Sequence, residues 1–364
     1  MKPHMKLMVM AAGTGGHIFP GLAIAETMRA RGWQVTWLGT ARGMEAEIVP
    51  RHDLVFDAID FSGLRGKGWR HTVTGIVKMA AGFVQCLSIM RKRKPDVVLG
   101  MGGYVTVPGG LMARLMGIPL ALVNADAALL MSNKALLPFA KKVLFGFTTG
   151  DAVNAASAAG KFQVTGNPVR KEISALPVPE QRYASRSGNL HVLVIGGSLG
   201  AKILNDTVPA ALANLPAAER PVVVHQSGKQ HIDALTHAYS KAGVAAEVLP
   251  FIDDMAARYA WADLVICRAG AITVAELCAA GVASVLVPLV ASTTSHQRDN
   301  ANWMAQSHAA LHMPQTEFSA QSLAALLQKI SRSQCQQMAQ AAYLQGKRDA
   351  NASIAQVLEE LGKR

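Results

Sequence analysis

Three glycine-bearing stretches carry the residue types and spacing that could do chemistry. The first is Gly13-Thr14-Gly15-Gly16-His17, just ahead of a helical pattern. Glycines there let the main chain approach a ligand closely, and a helix N-terminus offers free N–H groups to an anion. His17 stands where the helix dipole disfavours imidazolium, which leaves a neutral ring able to take a proton. A purely structural histidine is the alternative. The loop lacks GxGxxG spacing and no acidic residue closes the following strand, which argues against a nicotinamide site.

The second stretch, Gly196-Gly197-Ser198-Leu199-Gly200, fits a phosphate-cradling turn with a serine hydroxyl donor. It also formally matches the GxSxG elbow of hydrolases, with Asp254 or Asp263 and then His296 in triad order. An upstream HGGG-type oxyanion motif is missing. In the third stretch, Cys267 to Glu276, Thr273 and Glu276 have capping-box spacing. Alternatively, the two acceptor oxygens of Glu276 would suit a ribose diol while the turn N–H groups face a diphosphate. Spacing alone leaves both readings open.

These turns need strands before them and helices after them. Residues 5–12 form a near-continuous apolar run, as in a parallel strand buried on both faces. A helix is expected from Pro20 to Arg31 with Gly32 as its stop, and residues 33–40 read as the next strand. Further strands are expected at 96–103, 118–125 and 141–147. The pattern restarts at 191–205 and continues through 222–228, 263–271 and 283–289. The fold class is α/β, with two Rossmann-like doubly wound domains facing across a cleft. Prolines between Gly166 and Gly188 suggest a linker, placing the domains at 1–168 and 169–347 with a helical tail over about 348–364.

Composition narrows the classes. Of 364 residues 50% are hydrophobic, which supplies a large core and excludes a disordered chain. The 36 Lys and Arg against 24 Asp and Glu give +12, pointing to a polyanionic partner. Aromatics make up only 5% without basic interleaving, and no helix-turn-helix or RNA motif occurs, so no nucleic acid is expected. Four scattered cysteines make no CxxC pair, which suggests neither disulfides nor zinc and a reducing compartment. The apolar run before Gly13 is too short for a signal peptide, and no stretch reaches membrane-span length. A cytoplasmic protein touching a membrane only from its surface is expected.

Between Asp60 and Asp96 there is no acid, while Arg65, Lys67, Arg70, Lys78 and the run Arg91-Lys92-Arg93-Lys94 are basic. Trp69, Ile76 and Phe83 recur at helical spacing among them. Part of that stripe must pack in the domain, but basic residues flanking apolar ones also suit an anionic leaflet. Trp69, Ile76, Phe83, Arg91, Lys92, Arg93 and Lys94 are therefore expected at a membrane surface.

The motifs GTGGHIFPGLA (13–23), SGLRGKG (62–68), KPDVVLGMGGYVTVPGG (94–110), GNPVR (166–170), GGSLGA (196–201), HQSGK (225–229), FIDDM (251–255) and CRAGAITVAE (267–276) share number, order and spacing with one family. Over nearly its whole length the chain resembles the MurG family of peptidoglycan N-acetylglucosaminyltransferases. The resemblance implies a GT-B fold with the donor in the C-terminal domain and the acceptor in the N-terminal one, and a C-terminal helix returning to the first. It implies transfer of GlcNAc from UDP-GlcNAc to the C4 hydroxyl of MurNAc-pentapeptide in undecaprenyl-pyrophosphate-linked lipid I, giving lipid II with inversion, at the cytoplasmic face of the inner membrane. Other cell-wall synthesis proteins are further partners it suggests.

By the same resemblance Ile252 meets the uracil, Arg170 lies beside the nucleotide and Glu276 holds the ribose. Ser198 and the turn over 270–273, with Ala271, Ile272 and Thr273, face the diphosphate, with Thr14, Gly15 and Gly16 approaching it, and Val274 and Ala275 are further donor positions. Gln297 reads the GlcNAc hydroxyls, and Arg268 is a further donor position. Tyr104, Asn124, Asn133 and Asn205 fall on the acceptor side.

Two departures stand out: Ala12 replaces a leading glycine, and Val123-Asn124-Ala125-Asp126 replaces the usual HEQN. With that His and Glu gone, the base is His17 or Asp126. No DxD-like pair is present to hold a cation, so no metal or other cofactor is expected. The alternatives are a UDP-sugar epimerase of the same architecture and the GxSxG hydrolase.

Overall fold

Side chains along a strand alternate between the two faces of its sheet. On β1 (Lys6–Ala11), Leu7, Val9 and Ala11 enter one buried apolar cluster while Met8 and Met10 enter another. A strand apolar on both faces must lie inside a sheet covered on both sides, and β1 is central. The computed structural model describes residues 4–60, 69–126, 129–147, 160–197, 199–289 and 296–363, with the backbone alone for 69–79. The remaining strands of the first sheet are β2 (Gln34–Thr40), β3 (Val55–Ile59), β4 (Val97–Gly102), β5 (Leu120–Asn124), β6 (Lys142–Phe145) and β7 (Phe162–Val164). They run parallel in the order β3-β2-β1-β4-β5-β6-β7.

The second sheet holds β8 (His191–Ile195), β9 (Val222–Gln226), β10 (Glu247–Leu249), β11 (Leu264–Cys267), β12 (Ala283–Leu286) and β13 (Leu311–His312). It is again parallel, in the order β10-β9-β8-β11-β12-β13. In both sheets the order reverses beside the first strand, and that switch point at the carboxyl ends is where such sheets bind ligands.

The chain divides into two compact units, Met1–Val169 with Asp349–Arg364, and Arg170–Arg348. The last helix, Ala350–Gly362, lays Ile354, Val357, Leu358 and Leu361 into the core cluster of β1 and the helix Gly15–Ala30. Arg31 pairs with Glu359 at 3.2 Å beside this contact.

Three expectations from sequence need correction. The first helix begins at Gly15 rather than Pro20: Thr14 O accepts from His17 N (3.0 Å) and Ile18 N (3.3 Å), so a turn closes before the proline, which sits inside the helix. The short strands β3, β7, β10 and β13 lie outside the strands expected from apolar runs, because their burial is partial and their runs are short. The stretch from Gly166 to Gly188 is no free linker. Gly166 to Val169 belong to the first unit, and from Arg170 on it forms short helices Lys171–Ser174 and Pro179–Tyr183 within the second, with Tyr183 Oη donating to Asp263 O at 2.6 Å.

Buried Asp263 accepts from Arg186 (2.6 Å), Arg332 (3.2 Å) and the His191 N–H (2.8 Å). Burial alone would raise its carboxyl, but those donors outweigh it and hold the group below its ordinary value. Asp254 instead caps the helix Met255–Trp261, accepting from Ala257 N at 2.9 Å. Both candidate acids of the alternative hydrolase triad are thus engaged in structural roles.

Candidate active site

In the first unit the loops after β1, β4 and β5 gather around His17. Nδ1 of His17 donates to the Ala12 carbonyl at 3.3 Å, the tautomer that leaves Nε2 as the proton acceptor. Burial lowers the imidazole's pKa below its ordinary value, and the Ala12 hydrogen bond and the charges of Asp126 and Glu45 act in the opposite sense. The ring fits only because Gly102 has no side chain: a Cβ there would lie 2.7 Å from Cδ2 and Nε2 of His17. Gly103, at φ +85°, packs against the Ala12 carbonyl, which a Cβ would meet at 2.2 Å. The GMGG end of β4 is therefore a seat for the histidine loop.

The segment Val123–Asp126 is held by amides. Asn133 Nδ2 donates to Val123 O at 3.0 Å, Asn167 Nδ2 to Ala125 O at 2.9 Å and Asn124 Nδ2 to Asp126 O at 2.7 Å. Asn124 Oδ1 accepts from Leu130 N and from Asn133. Asn124 and Asn133, expected on the acceptor side, are fully buried and brace the loop that carries Asp126. Tyr104 is half exposed beside the glycine seat. Thr14 is exposed, and the side chain makes no capping hydrogen bond.

Asn205 needs a correction. It lies in the second unit, in the helix Lys202–Ala213, and its carboxamide is spent there. Nδ2 donates to Ser227 O at 3.0 Å, and Oδ1 lies 3.1 Å from Nε2 of buried His225, whose Nδ1 faces the Tyr239 hydroxyl at 2.9 Å. The consistent assignment has Tyr239 donating to Nδ1 and Nε2 donating to Asn205. Burial pushes the His225 imidazole down to about 3. This chain ends at the second glycine turn, where a Cβ on Gly200 would lie 2.1 Å from Ser227 O. Ser198 itself lies outside the described residues.

Glu276 anchors the residues expected on the donor side. Arg170 donates to Oε1 through Nη2 (2.9 Å) and Nε (3.2 Å), and Tyr259 Oη donates to Oε2 at 3.1 Å. The capping reading is overturned: the helix Ala271–Ala280 is capped by Gly270 without a side-chain bond, and Glu276 lies beyond the first turn. Burial raises the Glu276 carboxyl above its ordinary value, opposed by Arg170 and by the Tyr259 hydrogen bond. Ala271, Ile272 and Thr273 supply the free first-turn N–H groups. Val274 N is spent on Gly270 O and its side chain is buried, so Val274 serves packing. Ala275 follows on the same helix.

Arg268 Nη1 donates to Val287 O (3.1 Å), Pro288 O (3.2 Å) and Gln315 Oε1 (2.8 Å), which braces the chain after β12. Gln297 Oε1 accepts from Leu289 N at 2.9 Å. Ile252 is buried in the segment after β10. Among the described residues no group of three His, Cys, Asp or Glu could hold a metal ion.

The expected membrane segment is the helix Trp69–Arg93. The side chains of Trp69 and Ile76 lie outside the described residues, and Phe83 is half-buried. Arg91, Lys92 and Lys94 are exposed, as is Val84 at 67%. Arg93 corrects the expectation, since Nε and Nη2 clamp Asp57 at 2.7 and 2.9 Å, tying the helix to β3. Among the described residues no helix is long and apolar enough to cross a membrane.

Residues 7–145 match the glycosyltransferase family 28 N-terminal domain and residues 191–356 its C-terminal domain. A relative from Janthinobacterium sp. (strain Marseille), named UDP-N-acetylglucosamine–N-acetylmuramyl-(pentapeptide) pyrophosphoryl-undecaprenol N-acetylglucosamine transferase, is 66% identical over 98% of this chain and 99% of its own. The crystal structure of Acinetobacter baumannii MurG superposes with a TM-score of 0.80 at 35% identity, covering 98% of this chain and 99% of that one. The chain belongs to the MurG family. Its fold is accordingly the two-domain α/β GT-B architecture of glycosyltransferase family 28. A UDP-GlcNAc 2-epimerase from Neisseria meningitidis shares the fold alone, with a TM-score of 0.66 at 13% identity over 98% of this chain and all of that one.

Within the MurG frame, sequence reasoning missed Glu45, Tyr259, Asn167 and His225. Glu45 and Tyr259 are single polar residues outside the motifs, and Asn167 and His225 lie inside GNPVR and HQSGK with no spacing that marks them out. A partner distant in sequence gives each its role.

Proposed function

We infer that this protein transfers GlcNAc from UDP-GlcNAc to the C4 hydroxyl of MurNAc-pentapeptide carried on undecaprenyl pyrophosphate. The observation that carries the reading is end-to-end identity of 66% with a relative named for that transfer. The His17 seat supports it by supplying the proton acceptor that such a reaction needs. The C4 oxygen bonds to the anomeric carbon as the bond from that carbon to the UDP oxygen breaks, with inversion. His17 Nε2 takes the hydroxyl proton, and Asp126 supports the imidazolium that forms.

The donor belongs to the second unit. Glu276 takes the ribose hydroxyls, Arg170 and Ile252 lie beside the nucleotide, and the N–H groups of Ala271–Thr273 face the diphosphate and stabilise departing UDP without a metal. Tyr104 belongs to the acceptor side. Exposed Val84, Arg91, Lys92 and Lys94 suit an anionic membrane surface on the cytoplasmic side, where the lipid-linked acceptor is reached.

The test is transfer of radiolabelled GlcNAc from UDP-GlcNAc to a short-chain lipid I analogue with EDTA present. Labelled disaccharide lipid is the expected product. Donor binding without transfer would favour the epimerase reading, and no donor binding would overturn the assignment.

A further inference from the structure

Glu45 is a fully buried carboxylate that neither the motifs nor the proposed reaction uses. It opens the short helix Glu45–Ile48 after β2, and it points back under the first glycine turn. Oε1 accepts from Thr40 N at 3.0 Å and Thr40 Oγ1 at 2.7 Å, and Oε2 accepts from Gly13 N at 3.1 Å. Two glycines make its room: a Cβ on Gly43 would lie 2.1 Å from Oε2, and one on Gly39 would lie 2.7 Å from Cγ. Among the described residues it has no cationic partner within ion-pair distance.

The Gly13 N–H and the Ala12 C=O are the two ends of one peptide group. Glu45 accepts from one end while His17 Nδ1 donates to the other. The line is therefore carboxylate, peptide, imidazole. A carboxylate accepting from the N–H polarises the amide and makes its carbonyl the stronger acceptor, because hydrogen bonds in series reinforce one another. In hydrolytic triads a carboxylate orients the histidine directly; here a peptide stands between the two.

We propose that Glu45 is a positioning residue for His17, acting through the Ala12–Gly13 peptide to fix the Nδ1–H tautomer and strengthen Nε2 as a base. The proposal rests on the reading of His17 as the base of the transfer. Among the described residues, the charged groups that face the ring are Asp126, from the segment after β5, and Glu45. Both favour the protonated ring, so losing Glu45 must make His17 a weaker base.

The first measurement is on the wild-type protein, by NMR of ¹⁵N-histidine label in His17. The neutral ring is expected as the Nδ1–H tautomer, and an Nε2–H tautomer overturns the proposal. In Glu45→Gln the amide cannot accept at both ends and carries no charge. The His17 titration and the acid limb of kcat/KM for the lipid I analogue should both move to lower pH. A fall in kcat of roughly tenfold is expected, with KM for UDP-GlcNAc held within about twofold, the size of one charge-assisted hydrogen bond lost.

A titration and an acid limb both unmoved overturn the proposal. Glu45→Asp guards against a variant that does not fold: it keeps the charge but falls short of Gly13 N, and an unchanged titration there also overturns the relay. If His17→Gln turns over normally while Glu45→Gln still shifts the titration, the coupling stands and the base reading alone falls.

Discussion

Glu45 and Glu276 are both buried carboxylates near the carboxyl end of a parallel sheet, and each accepts three hydrogen bonds, two on one oxygen and one on the other. The donors differ in kind. Glu45 is answered by two main-chain N–H groups and one hydroxyl, so its charge fixes the path of the backbone. Glu276 is answered by a guanidinium and a phenol, side chains that can adjust when ligand hydroxyls arrive. The same functional group is fixed where its donors are backbone and, on the function proposed above, open to ligand hydroxyls where they are side chains.

The contrast breaks first at the residue Glu45 supports. His17→Ala should lower turnover by ~10²–10⁴-fold, the usual contribution of a general base. Calorimetry should show UDP-GlcNAc binding unchanged, and near-normal turnover would remove His17 from the mechanism. Next comes Glu276→Ala, which should weaken UDP-GlcNAc by roughly 10²-fold through two lost charge-assisted hydrogen bonds. Its loss should be much smaller for 2′-deoxy-UDP than for UDP, and equal losses would make Glu276 structural.

Neutral bracing without a counter-charge has a pH signature at His225. Its folded pKa, pushed down to about 3, lies below the unfolded value near 6.5. The unfolded chain therefore binds the extra proton, and stability falls as pH drops below about 6.5 until the folded pKa is reached. About 2 kcal/mol should be lost between pH 7 and 5 from this group alone. Urea midpoints of wild type and His225→Gln at both pH values measure it, since the variant should lose that part of the slope.

Tyr259→Phe is the finest cut. It removes one neutral donor to Glu276, so UDP-GlcNAc affinity should fall about fivefold, about 1 kcal/mol. A loss as large as that of Glu276→Ala would mean the phenol, rather than Arg170, holds the carboxylate in place.

The parallel strands were legible because a doubly buried strand writes itself as an apolar run: MKLMVMAA (5–12) and HVLVI (191–195) each proved central. Edge strands such as β13, Leu311–His312, carry no such run. At the candidate site, His17 and Glu276 drew attention through the glycine turns beside them. Glu45 was not, because its donors come from positions 13 and 40 and nothing local separates it from Glu47 two residues on. Arg93 and Asn205 were misplaced for the same reason: residue type names the available chemistry, but the partner decides its use, and Asp57 and Ser227 are far along the chain.

The return of the helix Ala350–Gly362 to the first unit has a consequence for biosynthesis. Ile354, Leu358 and Leu361 complete a core whose other members, from Leu7 to Leu144, leave the ribosome more than 200 residues earlier. The second unit, contiguous from Arg170 to Arg348, has its whole sequence available before that helix is made. During translation the first-made unit thus closes only after the second unit's sequence has been made, and its unfinished apolar face needs protection until the helix Ala350–Gly362 emerges.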